Sequence, residues 1–424
     1  MSTLLVLLPI AMLVAGMPIF LILLATALVA LAFVLHVPLV GAPQMMFGSI
    51  DKFSLLAVPF FIFAGEIMSQ GGVSERLIRW VQSLIGGVRG SIALTTVGTC
   101  EVFGAISGSS PATVAAIGRT MYPALRAGGY SDTFALGLLT SGGAIASIIP
   151  PSILMILYGA AAEQSVAKLF IGGVLPGILI GLLMAAYIIV YARSRNLAPT
   201  ERFSWLRLAQ TTRQGIWALA APVIILGSIY GGICTPTETA GIACVYGILV
   251  GRFVYREITW RRVFELAGSA AYLTAQIMII VAASGVFSWL LTISGVPQAI
   301  VQFIQEMKIT PVMLLFAINV LLLVVGCFID PSSAVLVLTP LLVPIVRLAG
   351  IDLVHFGIIV TVNLSIGMFT PPFGLNIFVS QGLFKAPMST IVRGVVPFLL
   401  IQIAALMIIT YVPWLSLYLG QFTK

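Results

Sequence analysis

The chain has 424 residues, 60% hydrophobic and 8% charged, with a mean hydropathy of +1.15. Soluble domains carry roughly 25% charged residues, so this composition excludes a soluble fold, and apolar stretches of about 20 residues, each enough to cross a bilayer, recur throughout. The net charge of +8 lies in loops between these stretches, a pattern of membrane topology and not of nucleic-acid binding. No porin-like alternation of apolar and polar residues is present.

In chain order, "MSTLLVLLPIAMLVAGMPIF" lacks a basic leader, so it reads as a first helix and not a cleaved signal peptide. Helices are predicted near 4–17, 18–35 and 53–70. The stretch 74–86, "SERLIRWVQSLIG", sets Leu77, Trp80, Val81 and Leu84 on one face, as in a helix lying in the membrane interface. Residues 91–125 form two apolar arms of about 16 residues around "SGSSPAT", short for full spans, and read as a re-entrant hairpin. A helix over 133–161 follows, interrupted by "SIIPPS", and then a last helix, 169–192. Pro150 and Pro151 remove hydrogen bonds and clash with the preceding turn, so the helix must break there.

A basic linker, 193–214, leads to a second unit, 215–424, built the same way. Its helices fall near 215–232, 236–252 and 265–293, before an interfacial "VPQAIVQFIQEM". A hairpin, 309–350, turns at "DPSSAV"; a helix over 353–382 is broken at Pro371 and Pro372; the last helix is 390–417. An offset of 221 links Pro123 to Pro344, Arg126 to Arg347, Pro150 to Pro371 and Pro176 to Pro397. The sequence thus predicts a tandem repeat, 1–192 and 215–424, of one membrane unit.

Each unit crosses five times, an odd number, so the two are inverted. With the linker cytoplasmic and both termini periplasmic, 16 of the 21 Lys and Arg fall on the cytoplasmic side, among them Arg202 of the linker. Lys52, Lys168, Lys308, Arg347 and Lys424 fall outside.

Inverted repeats with broken helices are the plan of secondary transporters, with sites near the midplane where the repeats meet. A break bares carbonyl oxygens, which can replace the hydration shell of a cation, and aims a half-helix N-terminus, which attracts a carboxylate. The hairpin tips add hydroxyl ligands: Ser107, Ser109, Ser110 and Thr113 beside Gly108, then Asp330, Ser332 and Ser333. Small residues also let membrane helices pack closely, an alternative stronger for one serine than for two tips and two breaks at repeat-related positions. Asp330 is an intramembrane acid and a candidate cation ligand or tip organiser. Asn363 and Asn376 flank the second break, with ligation and packing equally open. Glu66, Glu101 and Glu238 read as structural, and His36 and His355 as unpaired interfacial residues. The four cysteines read as apolar fillers. No catalytic or nucleotide-binding motif appears, so neither an enzyme nor an ATP-driven pump is expected.

"GGICTPTETAG" (231–241), "FGAISGSSPATVAAIG" (103–118), "IIPPSILMILYG" (148–159) and "TPPFGLNIFV" (370–379) resemble the large permease subunit of tripartite ATP-independent periplasmic (TRAP) transporters, in order and over nearly the whole chain. The resemblance implies an all-α, elevator-type transporter in a bacterial inner membrane. It implies import of an organic acid, such as a sialic acid or a C4-dicarboxylate, with Na+ as coupling ion and no other cofactor. The implied partners are a small four-helix membrane subunit, read as not fused to this chain, and a periplasmic substrate-binding protein. Sodium sites are implied where the tips meet the breaks: Ser109 and Ser110 with the loop from Ser147 to Pro150, and Asp330, Ser332 and Ser333 with Thr370 and Pro371. A stand-alone sodium- or proton-coupled carboxylate permease is the alternative.

Overall fold

A computed structural model describes residues 2–197, 199 and 203–422; Arg202 and Lys424, counted above for topology, lie outside the described residues. Among the described residues every regular element is helical. The first half holds α1 (Ser2–Val14), α2 (Ile19–Val29), α3 (Gly41–Ile50), α4 (Ala57–Gln70), α5 (Val73–Ile85), α6 (Ser91–Ser107), α7 (Ser110–Ala127), α8 (Asp132–Ile145), α9 (Ile153–Ala162) and α10 (Val166–Ser194). The second holds α11 (Trp205–Tyr230), α12 (Pro236–Leu249), α13 (Trp260–Ser294), α14 (Val296–Glu306), α15 (Pro311–Phe328), α16 (Pro331–Leu348), α17 (Leu353–Gly367), α18 (Leu375–Phe384), α19 (Met388–Tyr411) and a short α20 (Trp414–Leu417). Eight of the described helices are long and apolar enough to cross a membrane: Phe53–Gln70, α10, α11, α12 with its extension to Val254, α13, α15, α16 and α19.

Local chemistry sets the helix starts. Ser131, Ser152, Ser165, Thr259, Thr310, Asp330 and Asp352 each accept a hydrogen bond from a first-turn N–H. Thr235 and Glu238 form a reciprocal capping box, the structural role expected for that acid.

The backbone repeats with the sequence. α2 and α12 both leave through a π turn, Ala30–Val34 and Val250–Val254, each followed by a left-handed residue, His36 and Arg256. Glu163 and Lys385, also left-handed, end α9 and α18. Both double prolines contain a cis peptide bond. In each half the first hairpin arm crosses its own interrupted helix through tiny residues one turn before the break. A methyl group added at Gly104 would lie 2.7 Å from Ala146 Cα, and one at Gly367 would lie 2.7 Å from Gly326 Cα.

The second arms also bridge the units. Besides packing on the near half-helix of its own unit, α8 or α17, α7 packs on α18 and α16 on α9, so each hairpin clasps the far half-helix of the other unit as well. The near half-helices are the centre of the molecule: α8 is buried from Phe134 onward and α17 from His355 onward. The first interruption, 147–152, therefore lies inside protein, where irregular backbone at membrane depth is tolerated, whereas the second is buried only as far as Phe369 and exposes Pro372 and Phe373.

Several elements depart from the sequence reading. The linker is helical from Trp205, so α11 starts about ten residues before the predicted 215. α3 was not expected, because "GAPQMMFGSI" carries two glycines and a proline. Pro43 falls in its first turn, where proline is tolerated, and Ala42 packs with Val286 and Leu290 of α13. α5 buries Val73, Leu77, Ile78 and Val81, while Leu84 is exposed; packing on α6 and α11 selects the face. The arms α15 and α16 have 18 residues each, about 27 Å at 1.5 Å per residue, and meet each other far less than α15 meets α17. His355 is not an unpaired interfacial residue. It is 2% exposed, with Nε2 3.2 Å from the Thr410 carbonyl oxygen, because α19 covers the start of α17.

Candidate functional site: a cavity between two tips and two breaks

The first tip is shaped by its own hydroxyls. α6 ends at Ser107, Gly108 turns left-handed (φ +57°), and Ser109 is extended before α7 begins at Ser110. Thr113 Oγ1 donates to the Ser109 carbonyl (2.9 Å) and lies 3.0 Å from Ser107 Oγ, holding the turn closed. A side chain at Gly108 would collide with the Pro151 carbonyl oxygen, so this glycine seats the tip against the first break. Within that break the Ser152 hydroxyl donates to the Ser147 carbonyl and accepts from the Met155 N–H.

The second tip is organised by Asp330. Its Oδ2 accepts from the backbone N–H of Ser333 (3.1 Å) and from the Ser333 hydroxyl (3.3 Å), capping α16. In the second break the Thr370 hydroxyl donates back to the Ile366 carbonyl (2.7 Å). The two breaks face each other: Ser147 Oγ lies 4.0 Å from Met368 Sδ, at repeat-related positions.

These four segments enclose one side of a cavity of about 720 Å³, within the 300–1,000 Å³ range of small-molecule sites. Of the candidate residues, Ser107, Gly108, Ser109, Ser110, Ser147, Asp330, Ser332 and Ser333 line it. The starts of four helices meet there: Ser110 of α7, Ile153 of α9, Pro331 of α16 and Leu375 of α18. Those of α7 and α18 have no side-chain cap, and although Asn376 and Ile377 of α18 already donate to the Met368 and Gly374 carbonyls and Pro111 of α7 has no N–H, the positive helix ends they present suit an anionic ligand.

The other candidates stand behind this wall. Thr113 braces the first tip. Pro150, Thr370 and Pro371 shape the breaks without lining the cavity, and Met368 represents the second break there instead. Asn376 joins the halves: its Nδ2 donates to Ser110 Oγ (2.7 Å) and to the Thr140 carbonyl (3.0 Å). Asn363 is 0% exposed and donates to Asn319 Oδ1 (2.6 Å) and the Ile359 carbonyl (3.0 Å), a packing link between α17 and α15.

Sequence reasoning missed the facing wall. Pro18, Ile19 and Phe20 of the α2 entry, Glu66 of α4 and Gln276 of α13 complete the cavity. Glu66 was read as structural, yet it faces the tips, and its Oε2 is buried without a hydrogen-bond partner. The available signal was an acid inside the apolar run "AVPFFIFAGEIM". Glu101, by contrast, lies against Gly181 of α10, where any side chain would collide with its carboxylate.

The family model for the tripartite ATP-independent periplasmic transporter, DctM component, matches residues 6–415. The chain belongs to this family. As a TRAP large permease it is 40% identical to the C4-dicarboxylate large permease protein DctM of Pseudomonas aeruginosa, over 89% of this chain and 88% of that one. It is 38% identical to the C4-dicarboxylate DctM of Vibrio cholerae, over 98% and 96% of the two chains. It is also 41% identical to the isethionate permease DctMQ of Oleidesulfovibrio alaskensis, over 96% of this chain but only 64% of that relative's length. Two solved transporters share the permease's fold at low identity. They are YdaH of Alcanivorax borkumensis (TM-score 0.60, 14% identical, covering 98% of this chain and 100% of that one) and MtrF of Neisseria gonorrhoeae (TM-score 0.61, 13% identical, 95% and 94%).

Proposed function

We propose that this permease imports a small organic acid together with Na+, moving the cavity across the bilayer by an elevator motion of the tips and broken helices. The observation that carries the reading is the convergence of four helix starts and two serine-rich tips, from both halves, on one cavity. Helix starts suit a carboxylate. The hydroxyls of Ser109, Ser110, Ser332 and Ser333, with nearby carbonyls, are hard oxygen ligands for Na+. Ser110 Oγ accepts from Asn376 and keeps a lone pair for an ion.

Energetics favour cation coupling. Each charge moved through 100 mV is worth about 2.3 kcal/mol, so an anion enters against the potential unless one cation per negative charge accompanies it, and any further cation lets the potential drive uptake. Two repeat-related tips would supply two such cations.

Contacts between loops agree with the grouping of segments at two ends that the arginines suggest, with the basic linker, 193–214, assigned to the cytoplasm. Lys52 donates to the Ala160 carbonyl (2.6 Å) and Tyr158 to the Leu353 carbonyl (2.7 Å) at the end assigned to the periplasm. Arg76 pairs with Glu257 (2.7 Å) and Arg262 bonds Gln70 (2.8 Å) at the other.

The family works with a small membrane subunit and a periplasmic binding protein, and we assign both to this chain as partners in a bacterial inner membrane. Relatives are named for C4-dicarboxylates, ectoine, isethionate and 2,3-diketo-L-gulonate, so the family engine accepts diverse acids. The test is proteoliposomes holding the permease and its small subunit, supplied with the binding protein and its ligand. Uptake is expected only with an inward Na+ gradient and with binding protein present. Uptake driven by a proton gradient in Na+-free medium, or undiminished without binding protein, would overturn the reading.

A further inference from the structure

The cavity has two chemically different walls. Tips and breaks supply hydroxyls and helix starts on one side. The opposite side, from α2, α4 and α13, is apolar at Ile19, Phe20, Ile62, Leu273 and Ile277, with Glu66 as its ionisable group. No Lys, Arg or His stands among the described residues lining the cavity.

The two lining carboxylates differ. Asp330 is occupied with the Ser333 N–H and hydroxyl. Glu66 has a buried oxygen that no described donor reaches. The cation whose field reaches it, Arg262, is bonded elsewhere, to Gln70 (2.8 Å) and Glu265 (2.8 Å). Set in an apolar wall with one oxygen unpartnered, such a carboxylate either takes up a proton or is matched by a positive group that a ligand brings.

We infer that Glu66 is the specificity residue of this cavity, binding the ammonium or other cationic group of a zwitterionic substrate whose carboxylate lies against the tips. The inference rests on the reading of the cavity as the transport site. A dianion would bring its second negative group to Glu66 with no basic side chain to offset it. A zwitterion places each charge against its complement, and its apolar body against Ile62, Leu273 and Ile277.

The test is ligand binding to the purified permease with its small subunit in nanodiscs, followed by thermal stabilisation. Glycine betaine and β-alanine serve as zwitterionic probes, succinate as the dianion, each with and without Na+. Wild-type protein is expected to bind the zwitterions in Na+ and to favour them over succinate by at least tenfold. Glu66→Gln, nearly isosteric, should weaken the zwitterions tenfold or more and improve succinate, leaving stabilisation by Na+ alone unchanged. Glu66→Asp, which keeps the charge, should recover part of the loss.

Wild-type protein that binds succinate as well as the zwitterions, that responds to Na+ but to none of the probes, or whose Glu66→Gln form keeps zwitterion affinity overturns the inference while sparing sodium coupling. Loss of stabilisation by Na+ itself in the wild type would sink the proposed function, and this inference with it. A Glu66→Gln effect confined to the pH profile, with unchanged ligand preference, would mark Glu66 as a proton carrier and overturn the specificity role.

Discussion

Gly108 shows how much one residue carries. Its φ of +57° is one that a side chain resists by about 1–2 kcal/mol, and the space for a Cβ is already filled by the Pro151 carbonyl. Gly108→Ala should therefore separate the first tip from the first break and weaken Na+ binding by tenfold or more, measured by Na+-dependent thermal stabilisation. Gly227→Ala, in α11 with nothing within 4 Å of a new Cβ, should leave binding unchanged and stability equal or slightly higher. Asn376 is a bracing residue of another kind, since it holds Ser110 from across the repeat. Asn376→Ala and Ser110→Ala should each reduce Na+-dependent uptake, and the double variant should lose no more than the worse single one. Additive losses would show the two side chains acting apart. The tip serines were legible in the sequence, because two polar islands in apolar arms have few readings. The roles of Asn376 and Glu66 were not, because each depends on which distant segment comes to face it.

At the scale of elements, the double prolines announced both breaks, and the structure adds what lets broken helices sit so deep. Each is crossed by a hairpin arm through residues almost without side chains: Gly104 against Ala146, and Gly326 against Gly367. The close approach lays each arm directly on the backbone one turn before the break, where a larger residue would hold the arm away. Gly367→Ala would put a methyl 2.7 Å from Gly326 backbone atoms. Overpacking of this kind costs about 1–3 kcal/mol, so the variant should unfold at a lower temperature than wild type. Gly268→Ala, facing open space in α13, should not. An unchanged melting temperature for Gly367→Ala would mean that α15 and α17 part easily. Element boundaries were readable where a cap stood in the sequence, as at Ser131 and Thr310. They were missed where tertiary packing decides, as for α3 on α13 and the early start of α11.

For the whole molecule, the offset of 221 suggests two units but does not say how they would interlock. Each second arm packs both on its own unit and on the half-helix of the other, α7 on α18 and α16 on α9. The tips and breaks are thereby tied into one body around the cavity. Among the helices packed against this body, α4 brings its backbone close to the first tip at Gly65 and Ser107. A Cβ at Gly65 would lie 3.4 Å from that of Ser107, near the spacing of about 3.5–4.5 Å in disulfides. With the four native cysteines replaced by alanine or serine, Gly65→Cys with Ser107→Cys should join under oxidant. If the tips travel as a body past α4, oxidation should abolish Na+-driven uptake, and reduction should restore it to the level before cross-linking. The single variants should not respond to oxidant. A cross-linked protein that still transports at its reduced rate would mean that α4 and the first tip stay together through the cycle. The moving boundary would then lie elsewhere, since a bond between them leaves no room for one to slide past the other.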